Sequence, residues 1–506
     1  MSCARILGLA ASALFSMPAM ALADVTPEQV WENWQAMSTA SGYTMTAESQ
    51  RREGGTLVLA GVTMRAVAGD AEAGAIDVTV PMGEVRMEDL GDGRVEVVME
   101  PSYTVAMQST DTEGRPFAMR MRVDQVAMRT IVSGEPAAPR HDFTAESVRV
   151  VLEEMMAEGK PMPLTLDAMI EGIGGHYAAA TGDDATMEAE IAATKMAVAM
   201  TAENPDSPGG RMTLTYESAD LAGTFAGTLV DQAMAADLSA LLAAGFNVDS
   251  EFTQGATRFD LDFADGDDSL RATGTLGGAG LWMLVDAAQV DYGTSADNVD
   301  VALSGSSIPF PELKVKLAEY LFGIALPIAP APEPGDMSLM ARLVGLTVSD
   351  DVWAMLDPQA LLPRDPATLI VDAKGKLKVL MNLFTPETSV SPETPAEIQS
   401  LDLAELRVEA VGAQLTGSGA LTFDNTDTAT YGGMPKPIGA VDLSLTGGET
   451  LLDRLVQLQL VDAEQAAGFK MLAPLFAQPG PAPDSLTTRI EFQPDGSILA
   501  NGQRIQ

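Results

Sequence analysis

The stretch Leu406–Phe423, LRVEAVGAQLTGSGALTF, decides the fold class of the chain. Leu406 and Val408 alternate with charged residues, so this segment predicts a strand with one apolar and one charged face. Beyond Gly412 the apolar residues move from even to odd positions. Because side chains alternate strictly along a strand, the chain must turn or bulge there, and glycine permits either. The stretch therefore predicts two antiparallel strands joined around residues 411–413.

The second of these strands carries Gly417 and Gly419 on its apolar side. Glycines at such positions let another group approach the sheet closely, or let the sheet bend. The same change of parity recurs in residues 56–67 and 212–229. Together these patterns predict an α+β fold dominated by strands. We expect long, curved antiparallel sheets that form an open half-barrel or groove, with several helices packed on them.

Composition narrows the class of function. The 506 residues include 71 acidic and 30 basic ones, which gives a net charge of −41. No basic segment is long enough to hold a phosphate backbone, so we expect no nucleic acid partner. The acidity is typical of a protein kept soluble in a salty or crowded compartment. A specific cationic partner or a divalent metal is the alternative explanation.

The first 23 residues have the features of a signal peptide. Arg5 precedes the apolar segment 6–19, and the small residue Ala23 ends a cleavage motif directly before Asp24. We expect this leader to be removed, which would leave a periplasmic protein without a transmembrane segment. The only cysteine, Cys3, would leave with it, so the mature chain could form no disulfide.

Helices are expected between the strands. The first should begin behind the N-cap Thr26 with Pro27 as its first residue, and pack its tryptophans onto the sheet. The division into regions places the leader at 1–23, an N-terminal β-rich region at 24–307 and an α+β region at 308–506, unless the last two form one continuous domain. The remaining helices are predicted over 231–244, 309–324, 336–346, 349–356, 449–460 and 463–476.

Among the predicted helices, the segment 309–324 is the one for which we consider a role in ligand binding. Its apolar residues recur at helical spacing, which is what any helix docked on a sheet needs. A core helix that closes the sheet and a lid helix that contacts a lipid tail both fit this pattern. The candidate residues for an apolar ligand are Leu313, Leu317, Tyr320, Leu321 and Ile324.

Residues typical of catalysis form no pattern in this sequence. The two histidines, His141 and His176, lie in no motif, and we expect structural or surface positions for both. The acidic run Asp260–Asp268 departs from a calcium-binding loop, because its fifth position is Ala264 and its glycine comes seventh. We interpret it as a strand that ends in a turn, with weak calcium binding as the alternative. We therefore expect no enzyme, no cofactor and no metal.

Two C-terminal segments resemble a known family. AVGAQLTGSGALTFDN at 410–425 and DGSILANGQRI at 495–505, with PKPIG at 435–439, are similar to the bacterial secreted family labelled domain of unknown function 2125. The same strand elements look like those of AsmA-like and YdgA-like periplasmic β-rich proteins. The second resemblance implies a role in envelope integrity or lipid handling, and it supplies no catalytic residues.

Two functions fit these observations. The leading expectation is a non-enzymatic envelope protein that binds an apolar ligand such as lipid or another envelope component. The alternative is a structural or protein-interaction scaffold with no small ligand. A wide apolar trough in the structure would favour the first, and a filled core with flat acidic faces would favour the second.

The leader makes a testable prediction about the mature N-terminus. Cleavage after Ala23 should leave Asp24 as the first residue, because a small-x-small motif directly precedes it. Edman sequencing of protein isolated from the native periplasm would check this. A chain that retains its first residues and sediments with membranes would contradict it.

Overall fold

The computed structural model describes residues 24–68, 76–110, 114–180, 182, 185–205, 207, 209–228, 238–384 and 394–506. The predicted signal peptide, including Ala23, lies outside these residues, as does the first part of the predicted helix 231–244. The described helices are α1 Pro27–Ala40, α2 Leu238–Ala243, α3 Asp350–Leu356, α4 Gly448–Gln457 and α5 Ala463–Phe476.

Strands make up most of the described chain. In the first half they are β1 Tyr43–Thr46, β2 Ser49–Glu53, β3 Thr56–Ala68, β4 Ile76–Asp89, β5 Val95–Met99, β6 Ser102–Thr110, β7 Pro116–Val126, β8 Arg129–Ser133, β9 Arg140–Ala157, β10 Lys160–Pro161, β11 Leu164–Ala180, β12 Thr186–Glu203, β13 Arg211–Thr228 and β14 Val248–Gln254. In the second half they are β15 Thr257–Asp265, β16 Asp268–Leu276, β17 Gly278–Val285, β18 Gln289–Gly305, β19 Leu313–Pro327, β20 Gly335–Val348, β21 Ala367–Val379, β22 Ala396–Ala410, β23 Ala413–Asp424, β24 Lys436–Thr446, β25 Gln478–Pro479, β26 Ser485–Phe492, β27 Ile498–Ala500 and β28 Gln503–Arg504. The predicted β-dominated α+β fold is confirmed.

These strands form one continuous antiparallel sheet in which pairing mostly follows chain order, with the β5–β8 and β14–β17 pairings among the exceptions. From β18 to β23 each strand is hydrogen-bonded to the strand before it and the strand after it, and β24 pairs with β23 and β26. In some places two short strands share one long partner. Thus β5 and β6 both pair with β4, and β14 and β15 both pair with β13. The sheet is therefore a meander, the arrangement that short connections between antiparallel strands favour.

The predicted hairpin at 411–413 is present, between β22 and β23. Its two turn residues, Val411 and Gly412, have φ of 50° and 83°, so both lie in the left-handed region that tight hairpin turns require. The changes of parity at 56–67 and 212–229 have a different origin. Each lies inside a single strand, at Gly61 of β3 and Asp220 of β13, where φ is also positive.

This mid-strand change keeps the apolar residues on one side of the sheet. In β11 the apolar residues are even before Gly172 and odd after it, yet Ile170 and Ile173 pack in the same cluster. That cluster is centred on Ala145, Ile173, Ala193 and Leu221, which lie side by side on four neighbouring strands. A local departure from regular strand geometry thus reverses the alternation and preserves the apolar face.

The best-filled core lies under α1. The helix begins as predicted, with a capping box between Thr26 and Gln29 and with Pro27 as its first residue. Its buried side chains include Val30 and Trp31, which pack on a face of the sheet made by β3, β4, β5 and β8. At this end many large apolar side chains are fully buried, as expected of a close-packed interior.

One buried side-chain hydrogen bond connects α1 to β9. Trp34 donates its indole N–H to Nε2 of His141 over 3.0 Å, and the ring of His141 stacks on Tyr177 at 4.3 Å. Because Nε2 accepts, the other ring nitrogen, Nδ1, carries the proton and donates to the Pro139 carbonyl at 3.2 Å. Burial lowers the pKa of His141 to about 4, against the smaller opposing effects of that carbonyl and Asp142. The expected structural position of His141 is confirmed.

Two long predicted helices are wrong. The segments 309–324 and 336–346 form the strands β19 and β20 instead. The shorter predicted helices correspond to α3, α4 and α5, within two or three residues at each end. Across the proposed boundary at 307–308, β18 pairs with β19 without a break in the sheet.

Replacement of Gly412 by valine tests the hairpin. A β-branched residue at a φ of 83° is strained, and its Cβ would come within 2.9 Å of Pro363. We expect the free energy of unfolding to fall by about 1–3 kcal/mol. Urea melts would measure the loss. Ala413→Val, at the start of β23, is the control and should change the midpoint little, and equal effects of the two variants would argue against a special turn.

The buried His141 makes stability depend on pH. In the unfolded chain its pKa is near 6.5 and in the folded chain about 4, so the unfolded state binds more protons between these values. Stability should be full above pH 6.5 and fall as the pH drops towards 4, by roughly 2 kcal/mol between pH 7 and pH 5. Urea melts across this range, with His141→Gln as the comparison, would check it. The variant should lose this part of the dependence, and an unchanged slope would contradict the assignment.

Candidate functional site

The predicted ligand-binding residues lie on the strand β19, so their side chains point in other directions than they would on a helix. Four of them, Leu313, Leu317, Tyr320 and Ile324, face the same side of β19, because the alternation reverses between Leu317 and Tyr320. The fifth, Leu321, faces the opposite side, between Ser295 and Arg342. The structure therefore brings four of the five candidates together.

Two of these four residues, Tyr320 and Ile324, belong to an apolar surface that crosses the C-terminal part of the sheet. Residues paired directly across antiparallel strands share a face, so rows can be followed from strand to strand. We call the surface formed by three such rows the apolar face. The first row is Tyr292, Ile324, Leu339, Ala373, Leu403, Gly419, Val441 and Ile490; the second is Thr294, Phe322, Ala341, Val371, Leu406, Gly417 and Leu443; the third is Ala296, Tyr320, Leu343, Leu369, Val408, Leu415, Leu445 and Leu486.

The apolar face is not covered as the N-terminal core is. Leu59, Val85 and Val95 under α1 have no exposed surface, whereas Leu339 and Val408 of the apolar face are 39% and 37% exposed. The other large side chains of the three rows are half-buried or exposed. The only fully buried member of the rows is the small Ala373. A contiguous apolar surface of this extent is unusual on a protein that has no ligand or partner there.

The opposite side of the same strands is charged, and many of its charges form ion pairs. Lys316 pairs with Asp300 at 2.7 Å, and Arg342 pairs with Glu319 at 2.6 Å. Ion pairs between neighbouring strands recur further along the sheet, as with Arg489 of β26. The sheet therefore has one face suited to water and one suited to an apolar partner.

Gly417 and Gly419 lie on the apolar face as the sequence predicts. A Cβ on Gly417 would come within 2.6 Å of the Leu443 side chain, and one on Gly419 within 2.4 Å of the Ala440 carbonyl. The side chain of Leu443 lies over Gly417, with that of Leu406 close by. These glycines therefore allow neighbouring leucines to lie flat on the sheet, which keeps the apolar face shallow at this point.

An apolar cavity of about 420 Å³ lies at the end of the third row, beneath α4 and α5. Its volume falls within the range of small-molecule pockets. At the edge of this cavity Nζ of Lys470 donates a hydrogen bond to Oδ1 of Asp453 over 2.7 Å. The lining residues are Leu445, Gly448, Glu449, Leu452, Phe469, Lys470, Leu472, Ala473, Phe476 and Leu486. The sequence patterns did not predict this cavity. The apolar composition of 466–477 was the one signal that α5 has an unusual surface.

The acidic run forms the predicted strand and turn. β15 ends at Asp265 and β16 begins at Asp268, with Gly266 at a positive φ between them. Asp260 is paired with Arg271 at 3.1 Å. Among the residues that the structure describes, no group of three or more histidine, aspartate or glutamate side chains could hold a metal ion.

The C-terminal part of the chain identifies a family. Residues 258–503 match the model of the family described as "Uncharacterized protein conserved in bacteria (DUF2125)". Over these residues, slightly less than half of its length, the chain is similar to that family. The matched residues extend from β15 to β28, so this DUF2125 region contains nearly all of the apolar face and both C-terminal helices. No curated protein and no solved structure matches the chain.

In the described part of the DUF2125 region and of the N-terminal half, no helix is both long and apolar enough to cross a bilayer.

Proposed function

We propose that this protein is a non-enzymatic binding protein of the bacterial periplasm, and that it holds the acyl chain of an envelope lipid on its apolar face. The observation that carries the proposal is the incomplete burial of three apolar rows across eight neighbouring strands, β18–β24 and β26. Burying such a surface against hydrocarbon is favourable in proportion to its area. The predicted signal peptide supports the periplasmic location.

The chemistry of the face favours an acyl chain over a protein partner. Protein interfaces carry about one hydrogen bond for every 100–200 Å². The three rows offer few polar side chains, and two of them, Thr294 and Tyr320, are hydrogen-bonded to each other at 3.2 Å. An acyl chain needs no hydrogen-bond partner along its length. The rows hold no charged side chain, which also suits an alkyl ligand.

The site is a surface on which a ligand can lie, and it ends in a partly open pocket. The third row continues through Leu445 and Leu486 into the cavity beneath α4 and α5. A chain that lies along the rows could place its end in this cavity. The candidates Tyr320 and Ile324 of β19 would contact the chain near the other end of the rows.

Two neighbouring residues of β19 provide a matched test. Phe322 lies on the apolar face and Leu321 on the charged face, and both are partly buried. Phe322→Gln should weaken binding of a fluorescent fatty-acid probe about tenfold or more, because it places an amide under the chain. Leu321→Gln should leave probe affinity unchanged. Fluorescence titration would measure both, after circular dichroism has shown that the variants are folded.

Two outcomes would count against the proposal. If the wild type binds no probe, the apolar face does not take an acyl chain, and a scaffold role becomes the better explanation. If both variants weaken binding equally, the effect is one of stability and not of the face.

A further inference from the structure

The helix α5, Ala463–Phe476, is apolar yet exposed to water. Phe469 is 66% exposed, Met471 74% and Leu475 57%. Leu472 and Phe476 are 47% and 45% exposed, and Ala466 is the only buried residue of the helix. A helix that exposes so much apolar surface is one whose partner is missing from the isolated chain.

The exposed side chains occupy one broad side of the helix. At 100° per residue, the five large apolar residues from Phe469 to Phe476 span an arc of about 160°. Ala466, Lys470 and Ala473 lie on the other side. An apolar stripe that enters a protein groove is usually narrower and is anchored by residues three and four apart. A wide apolar side with aromatic residues can be buried in a membrane interface, and α5 differs from most interfacial helices in lacking a polar side rich in Lys and Arg.

This side of the helix is electrically neutral. Between Ala466 and Ala477 the only charged residue is Lys470, and it is paired with Asp453 of α4. The whole chain has a net charge of −41, which would repel anionic lipids. A surface without net charge complements a zwitterionic bilayer, because each headgroup of such a bilayer carries one positive and one negative charge and has no net charge.

The same helix also borders the end of the apolar face. Phe469, Leu472 and Phe476 line the cavity that Leu445 and Leu486 close from the sheet side. These three residues therefore contribute both to the exposed apolar surface and to the wall of the cavity. The exposed side of α5 and the apolar face are thus continuous with each other.

We propose that α5 docks the protein on a zwitterionic lipid bilayer, by burying Phe469, Met471, Leu472, Leu475 and Phe476 among the acyl chains. Docking in this orientation places the mouth of the cavity at the hydrocarbon boundary. A lipid chain could then pass between the bilayer and the apolar face without crossing water. The docking step stands independently of the proposed function, and only the transfer of a chain depends on it.

Flotation of the mature protein with phosphatidylcholine vesicles tests the docking step. The wild type should float with the vesicles, and 0.5 M salt should not release it, since the contact is apolar. The double variant Met471→Glu, Leu475→Glu should reduce the bound fraction at least about tenfold. Both side chains point away from the cavity and are exposed, so the fold should be unaffected. Met355→Glu is the matched control, because Met355 of α3 is 60% exposed and should not affect flotation.

Several results would overturn the inference. One is a wild type that stays unbound with phosphatidylcholine vesicles, and another is stronger flotation with anionic phosphatidylglycerol. A third is a dimer of the wild type, seen by native mass spectrometry, that the double variant abolishes, because α5 would then be covered by a second copy. The two proposals fail separately. Probe binding without vesicles should survive the double variant, and flotation should survive Phe322→Gln.

Discussion

The rest of the structure depends on keeping apolar side chains on one side of a very long sheet. Strict alternation would do this in short strands, but the strands here reach 18 residues. Residues with positive φ, such as Gly172 and Asp220, interrupt the long strands, and the alternation reverses there. The cluster around Ile173 and Leu221 shows that the reversal keeps both halves of a strand on the same side. A sheet built in this way can bend and still keep two chemically distinct faces.

The two ends of this sheet use their apolar side differently. Near the N-terminus α1 covers it, and Val85 and Val95 lose all contact with water. Over the DUF2125 region no comparable helix covers the rows in the described chain, and the side chains remain half-exposed. α4 and α5 cover only the end of the third row, over the cavity. The same alternation of residues therefore makes a core near the N-terminus and an open surface in the DUF2125 region. The difference is that α1 covers the first, whereas no comparable helix of the described chain covers the second.

The mid-strand reversal also explains what could be predicted from the sequence and what could not. The hairpin at Gly412 follows from local turn chemistry, and the helix behind Thr26 follows from that N-cap and from proline at its first position. The error at 309–324 arose because a strand that changes parity between Leu317 and Tyr320 places apolar residues three and four apart. That spacing imitates a helix. Four of the five candidate residues share one side of a wrongly assigned element, and their role stays a prediction, while the cavity depends on how distant segments meet, which no local pattern records.

The contact between Trp34 and His141 has a consequence for the order in which the chain can fold. Nearly every strand pairs with its neighbour in sequence, so the sheet can grow as each new segment is delivered, at little cost in loop closure. The contact of Trp34 is the exception, because its acceptor on β9 lies 107 residues further along. α1 can pack on β3, β4 and β5 early, but the indole N–H of Trp34 gains its partner only after β9 has formed. Until then this part of the chain lacks its final buried contact, and it is the part that most needs protection from aggregation.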